Sequence, residues 1–200
     1  MTRLRPWIFG VGASLAAATS LAQQADYGPL PYDYAVINYM MTELDSGGVE
    51  LAGSYEVANR VVVFADYQNS EIGSTDRERL RLGGGYRWDL KPNIDLIAKL
   101  AYADNEIDPP GPGRFDDDGF MIGGEVRAWL SRDFEVGGEL MLDDSIGSST
   151  ETVLGIGGQY YFGDNLSAGA RLRIDDADTT VFIGVRFHFG DSRRLLSNRR

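Results

Sequence analysis

The side chains of this 200-residue chain that could carry chemistry are its acidic and basic groups and one histidine, His188, because the chain contains no cysteine. A histidine beside a carboxylate could act as a general base. His188 lies near the end of the last strand-like segment, and no second histidine or cysteine stands at a metal-ligand spacing from it. We therefore expect a structural or interior-lining role for His188, no catalytic residue, no enzymatic activity, no metal site and no cofactor.

A second candidate is the acidic run Asp116-Asp117-Asp118-Gly119, which follows Asp104, Glu106 and Asp108 in the sequence. Clustered carboxylates could bind a divalent cation. The spacing does not match the Asp-x-Asp-x-Asp-Gly pattern of a calcium loop. Blocks of like charge usually repel one another and stay solvated, so we expect these residues to belong to an exposed acidic loop.

Most other charged residues alternate with apolar ones, and this alternation indicates the elements that hold them. The last segment places Arg186 and His188 on one face of an extended strand, and the other face is apolar: Val181, Ile183, Val185, Phe187 and Phe189. The same period of two predicts about ten strands. They cover residues 33–44, 48–57, 61–70, 78–89, 94–105, 119–130, 134–144, 151–162, 166–176 and 179–189.

The predicted connections alternate between two kinds. One kind is short and contains turn-forming residues, as in Lys91-Pro92-Asn93 and Gly163-Asp164-Asn165. The other kind is more variable and acidic, and its longest example runs from Glu106 to Asp118. Short turns at one rim and longer loops at the other are typical of membrane barrels. We predict an all-β fold, a closed antiparallel up-and-down transmembrane β-barrel of about ten strands, or of eight if a loose hairpin precedes the barrel.

Aromatic residues on the apolar face gather near the strand ends. Aromatic rings favour the headgroup level of a bilayer. We therefore predict an aromatic girdle that comprises Tyr55, Tyr86, Trp88, Tyr102, Phe120, Phe134, Tyr160, Phe162, Phe187 and Phe189. The alternative is a secreted soluble barrel that buries its apolar face and binds an apolar ligand.

The opposite face carries charges of both signs. A barrel of eight to ten strands is little wider than its own side chains, so enclosed charges should pair with one another. The predicted lumen-lining residues are Glu50, Asp66, Arg79, Arg81, Arg87, Asp95, Lys99, Glu125, Arg127, Glu139, Arg171, Arg173 and Arg186. We expect a lumen filled by these pairs, with a narrow cation-preferring channel as the alternative.

The N-terminal segment predicts export. Arg3 and Arg5 precede an apolar run that ends near Ala22, as in a cleaved signal peptide. The predicted organisation is a signal peptide at 1–22, a periplasmic lead-in at 23–32, an outer-membrane barrel at 33–189 and a basic tail at 190–200, which we expect to be disordered and solvated. The formal net charge of −11 argues against nucleic acid as a partner.

Together these features resemble the small bacterial outer-membrane β-barrel proteins of the OmpA transmembrane-domain and OmpX type. The resemblance rests on the signal peptide, the alternating strands and the terminal Val185-Arg186-Phe187-His188-Phe189. It implies a porin-like cell-envelope protein in the outer membrane of a Gram-negative bacterium, with a structural or surface-interaction role. Its implied partners are the lipid bilayer, lipopolysaccharide and the barrel-assembly machinery, and no surface ligand is indicated. One departure is that eleven residues follow Phe189, whereas the final aromatic commonly ends the chain in that family.

Overall fold

The computed structural model describes residues 27–42, 47–72, 75–111, 113–145, 150–176 and 178–197. Within these ranges lie ten strands and a C-terminal helix: β1 Tyr34–Thr42, β2 Gly47–Ala58, β3 Val61–Ile72, β4 Thr75–Lys91, β5 Ile94–Asp108, β6 Phe115–Ser131, β7 Phe134–Asp143, β8 Glu151–Tyr161, β9 Leu166–Ile174, β10 Thr179–His188 and α1 Gly190–Ser197. Neighbouring strands pair antiparallel, and β1 pairs with β10 to close the barrel. The predicted closed up-and-down barrel of ten strands is confirmed, and the alternative of eight strands is wrong.

The seam between the first and last strands is a regular ladder. Tyr34 of β1 stands opposite His188 of β10, and the register continues without a shift to Thr42 opposite Thr180. On its other edge, β1 pairs with β2 from Tyr34 opposite Ser54 to Met41 opposite Gly47. A ladder that closes on itself gives the backbone groups internal partners, which hydrocarbon surroundings require.

Side-chain exposure shows which face of the barrel is outside. Ile122 is 59% exposed and Val185 is 44% exposed, whereas Glu50 and Asp95 on the opposite face are 1% and 3% exposed. Large exposed apolar side chains occur on all ten strands. A soluble protein rarely exposes so continuous an apolar surface, whereas a membrane barrel turns it toward lipid. The chain is therefore a barrel of the membrane-spanning type, and the alternative with a buried apolar face is wrong.

Three neighbouring strands are longer than predicted at the loop rim. β5 extends to Asp108 and β6 begins at Phe115, so only residues 109–114 connect them. The expectation that Asp116, Asp117 and Asp118 belong to a loop is wrong, because they pair with β5 as strand residues. Backbone pairing between neighbouring strands satisfies N–H and C=O groups whatever the side chains are, and these carboxylates alternate in direction as strand residues do.

The two chain ends also differ from the prediction. Residues 27–32 of the predicted lead-in enter the barrel mouth, where Leu30, Pro31 and Tyr32 are buried. Residues 190–197 form helix α1, so the expectation of a disordered tail is wrong over that range. The predicted signal peptide at 1–22 and residues 198–200 lie outside the described residues. No helix among the described residues has the length and apolar character needed to cross a bilayer.

Candidate functional site: the barrel lumen

The short-turn mouth of the barrel is closed by the segment Tyr27–Asp33, which we call the plug. The Tyr32 ring lies between two guanidinium groups, with Arg127 Cζ 4.6 Å and Arg87 Cζ 5.1 Å from its centroid. Its hydroxyl donates a hydrogen bond to Asp95 Oδ2 at 2.7 Å. Desolvated cation–π contacts of this kind contribute on the order of 2 kcal/mol each. Burial raises the pKa of the Tyr32 phenol well above its ordinary value, so the hydroxyl stays a donor.

Apolar packing continues the plug toward the strands. Leu30 is buried in a cluster with Tyr32 and four lumen side chains: Val62, Ile97, Trp129 and Tyr161. Arg127 Nη1 donates to the Pro31 carbonyl oxygen at 3.1 Å. The plug is therefore held by side-chain and backbone contacts at once, and aromatic side chains from β6 and β8 fill the space around it.

Asp33 joins the plug to helix α1. Its Oδ2 accepts hydrogen bonds from the backbone N–H groups of Asp191 (3.0 Å) and Ser192 (3.2 Å), and its Oδ1 accepts one from the backbone N–H of Glu56 (3.0 Å). The Asp33 backbone N–H donates to Ser192 Oγ at 2.6 Å. A carboxylate at the first turn satisfies orphan N–H groups and complements the helix dipole, so Asp33 caps α1 from a distant part of the chain.

Glu135 on β7 is the central acceptor of the short-turn half of the lumen. Arg127 binds it through two nitrogens, with Nε 2.7 Å from Oε1 and Nη2 2.9 Å from Oε2. The Tyr161 hydroxyl donates to Oε2, and Arg186 Nη1 lies 3.9 Å from Oε1. Two-pronged arginine–carboxylate pairs are among the stronger protein hydrogen bonds, which fixes the relative position of β6 and β7 on the inside.

His188 is buried in this same region. Its Nε2 lies 3.0 Å from Ser167 Oγ, and its ring stacks on Tyr161 with centroids 5.1 Å apart. No carboxylate oxygen among the described residues bonds to its ring, and both His188 and Ser167 have no exposed surface. A general base must reach its substrate, so the surroundings of His188 suit packing of the mouth.

In the middle of the lumen, three basic side chains make four further ion pairs. Arg81 Nε contacts both Asp66 oxygens at 2.7 and 2.9 Å. Arg171 Nη2 contacts both Glu50 oxygens at 3.1 and 2.9 Å. Lys99 Nζ lies 3.1 Å from Glu139 Oε2 and also contacts Glu125. Arg81–Asp66 and Lys99–Glu125 join neighbouring strands. Lys99–Glu139 reaches from β5 to β7, and Arg171–Glu50 reaches from β9 past β10 and β1 to β2.

The buried carboxylate of Glu50 accepts hydrogen bonds from three different side chains. Besides Arg171, it accepts hydrogen bonds from the side-chain amides of Asn38 (2.6 Å) and Gln68 (2.8 Å). A buried charge needs partners for its remaining lone pairs, and here neutral amides on β1 and β3 provide them.

The loop-side half of the lumen is closed over β4 to β7. Arg79 pairs with Asp143, whose Oδ1 accepts hydrogen bonds from the Ser145 backbone N–H (3.0 Å) and hydroxyl (2.6 Å). Asn105 Nδ2 donates to the Ser145 carbonyl oxygen at 2.8 Å. Ser145 belongs to the connection after β7, so that connection folds inward over the charged layer.

A cavity of about 170 Å³ lies between the plug and this loop-side layer. One part of its wall lacks side chains, because Gly137 of β7 stands opposite Gly157 of β8 and both face inward. Phe64, Met121 and Met141 supply apolar wall on the other strands. Among the described residues, the lumen is therefore filled at the plug end and, over β4 to β7, at the loop side, and the cavity lies between these two layers.

All thirteen residues named as lumen-lining from the sequence lie on the inward face, buried or half-buried. Of the ten named girdle residues, nine are exposed on the outer face, while Phe189 is half-buried and stacks on Tyr55 at 6.4 Å. Sequence reasoning missed Leu30 and Tyr32, which follow no alternation. It also missed Trp129 and Tyr161, although their period-two positions beside inward charges could have placed them inside.

Comparison with known proteins yields similarities in structure only. No family model matches the chain, and no curated protein sequence matches it. The KdgM porin is 13% identical and aligns over 78% of this chain and 99% of its own, with a TM-score of 0.48. The NanC porin is 11% identical over 78% of this chain and 100% of its own, with a TM-score of 0.44. The N-terminal β-barrel of Pseudomonas aeruginosa OprF is 14% identical over 79% of this chain and 98% of its own, with a TM-score of 0.42. Identities and TM-scores at this level transfer no function to this chain.

Proposed function

We propose that this protein is an integral outer-membrane barrel of a Gram-negative bacterium that has a structural or surface-interaction role and does not conduct ions. The observation that supports this proposal is the plug, with Leu30 and Tyr32 buried in the mouth among lumen side chains. The ion pairs above the plug occupy much of the remaining cross-section. An open channel needs a continuous water path, and filled lumens are common in barrels of this size.

The outer surface supports the proposed partners. The lipid bilayer would cover the exposed apolar belt, with aromatic residues at its edges. Above the girdle residues Tyr102 and Phe120, the outward row continues as carboxylates, with Asp104 opposite Asp118 and Glu106 opposite Asp116. We propose that this acidic surface meets the headgroup region, where lipopolysaccharide would be its neighbour, and that the barrel-assembly machinery inserts the chain.

Single-channel recording in planar bilayers tests the absence of conduction. We expect no steady current from the full chain after heat-modifiable migration on gels has shown that the same sample is folded. A steady cation-selective current from folded protein would contradict the proposal and favour the narrow channel. The unfolded, heated sample provides the matched control for leakage caused by detergent.

A further inference from the structure

The cavity in the middle of the lumen has opposite unbalanced charges at its two ends. At the loop-side end, Lys99 is shared by two carboxylates, Glu125 and Glu139. At the plug-side end, the single carboxylate of Glu135 is shared by Arg127 and Arg186. The Arg81–Asp66 and Arg171–Glu50 pairs also line the cavity. With these two pairs included, the loop-side lining has four carboxylates against three cationic groups, and the plug-side end has two guanidinium groups against one carboxylate.

Unused donors lie at the positive end. The Nε and Nη1 atoms of Arg186 are buried and have no hydrogen-bond partner among the described atoms. Arg171 lines the cavity nearer its other end, where it pairs with Glu50, and its buried Nε atom also has no hydrogen-bond partner among the described atoms. Buried donors normally have an acceptor, from protein, water or ligand, and the cavity is the space that these groups share.

The two ends are separated by a stretch without side chains. Glu135, Gly137 and Glu139 are successive inward positions of β7, which places the two carboxylate-bearing residues about 13 Å apart along the strand. Gly137 lies midway and stands opposite Gly157 of β8. A ligand with two opposite charges could lie over these glycines and reach both ends.

We propose that this cavity binds a small zwitterion, such as an ω-amino acid or a betaine. Its ammonium group would lie toward Glu125 and Glu139, and its carboxylate toward Arg186. The apolar side chains of Phe64 and Met141 would contact the methylene groups between the charges. A simple anion or cation would satisfy one end only, so both charges are needed for full complementarity.

The test uses the full chain folded in detergent micelles in the presence of one of three probes: 4-aminobutyrate, butyrate or butylammonium. Folding in the presence of the probe lets it enter before the plug closes the mouth. The probe is labelled, free probe is removed after folding, and the amount retained per barrel as a function of the probe concentration during folding gives the apparent affinity. We expect 4-aminobutyrate to bind about ten times more tightly than either singly charged analogue, a difference of about 1.4 kcal/mol.

A pair of glycine variants locates the site. An added Cβ at Gly137 meets only ordinary contacts, the nearest being the Val126 carbonyl oxygen at 3.5 Å. Gly137→Val adds two methyl groups beyond that Cβ and is expected to occupy part of the cavity. Gly84 faces lipid and has similar space, with the Val62 carbonyl oxygen at 3.5 Å, so Gly84→Val is the matched control. We expect Gly137→Val to lose about tenfold in affinity and Gly84→Val to bind like the parent chain.

Three outcomes would overturn the inference: equal binding of all three probes, unchanged binding by folded Gly137→Val, or no retained 4-aminobutyrate, which would mean that the cavity holds water only. The inference is independent of the proposed absence of conduction. If the protein does not conduct and retains no zwitterion, only the proposed binding site is refuted. If the protein conducts and retains the zwitterion, only the proposed absence of conduction is refuted.

Discussion

At the scale of single residues, the molecule is defined by the sharp contrast between its two faces, which successive side chains occupy in turn. Glu135 and Leu82 show the two extremes. Glu135 is buried and bonded to three side chains on three different strands, while Leu82 is one of the most exposed apolar residues of β4. The physical consequences of a change at each position are therefore opposite in kind.

Removal of the Glu135 carboxylate should strongly destabilise the barrel. Glu135→Ala leaves Arg127 as a buried charge without its main partner, and breaking a buried pair in this way costs about 3–5 kcal/mol. The measurement is urea unfolding of the protein in lipid vesicles. Asp116→Ala removes an ion pair whose partner Arg114 is mostly exposed, and its expected cost is below about 1 kcal/mol. Equal effects of the two changes would contradict the assigned burial.

Placing a charge on the outer face should impair insertion. Leu82→Arg puts a guanidinium into the apolar belt, which costs about 2–4 kcal/mol at the bilayer centre and less toward the interfaces. Folding yield in vesicles, read by heat-modifiable migration, should fall while folding in detergent is largely preserved. Arg81→Leu, one position away, should be impaired in both media because Asp66 loses its partner. A Leu82→Arg chain that inserts normally would show that the belt is not covered by lipid.

Sequence alternation predicts the side of the barrel for these residues but not their partners. The inward direction of Arg127 follows from its place between Val126 and Ala128. Its pairing with Glu135 across a hairpin is local enough to be guessed from register. Its contacts with Tyr32 and the Pro31 carbonyl oxygen depend on a non-repetitive segment entering the mouth, and no periodic signal encodes that entry.

At the scale of elements, the hydrogen bonds of Asp33 hold the plug and helix α1 together. Asp33→Ala removes the acceptor of two N-terminal N–H groups of α1, and loss of such a cap costs about 0.5–2 kcal/mol. We expect trypsin cleavage after Arg193 or Arg194 to accelerate by roughly two- to thirtyfold, measured by mass spectrometry of the shortened chain. Asp116→Ala, which removes an exposed carboxylate at the opposite rim that pairs with Arg114, should leave the rate unchanged. An unchanged rate for Asp33→Ala would mean that α1 is not held by this cap.

The extended strands β4, β5 and β6 carry like charges opposite one another. Asp76 stands opposite Glu71 on one side and Asp108 on the other. Directly opposed like charges are destabilising by about 0.2–1 kcal/mol. Asp76→Asn should therefore stabilise the barrel toward urea in low salt, and the gain should shrink in high salt because screening weakens the repulsion. Asp116 also stands opposite a carboxylate, Glu106, but Arg114 pairs with both of them. Asp116→Asn should therefore give no gain, and a gain of equal size there would contradict this explanation.

Element boundaries were predictable at the short-turn rim and less so at the loop rim. Turn residues such as Pro92-Asn93 mark where β4 ends and β5 begins, and both ends agree with the structure within two residues. At the loop rim, charge alone does not distinguish a loop from a strand, because in water outside the bilayer a charged strand is as acceptable as a charged loop. Helix α1 was missed because its first turn depends on Asp33, which is distant in sequence.

At the scale of the whole molecule, the barrel is a thin wall between lipid and an ionic interior. The strand count and the closed topology follow from alternation, turn spacing and the requirement for internal backbone pairing in lipid. The cavity and its unbalanced ends do not follow, because they depend on which glycines face each other across β7 and β8. Register of this kind is set by the closure of all ten strands together.

The regular seam between β1 and β10 has a consequence for biogenesis. β1 is synthesised first, but one of its two pairing partners is the last strand, Thr179–His188. The barrel therefore cannot close strand by strand while the chain is being secreted. Until β10 is in place, β1 has an unpaired edge that can pair with strands of other chains. A chain truncated before Thr179 would therefore leave one edge of β1 without its partner strand, and we expect such a chain to aggregate.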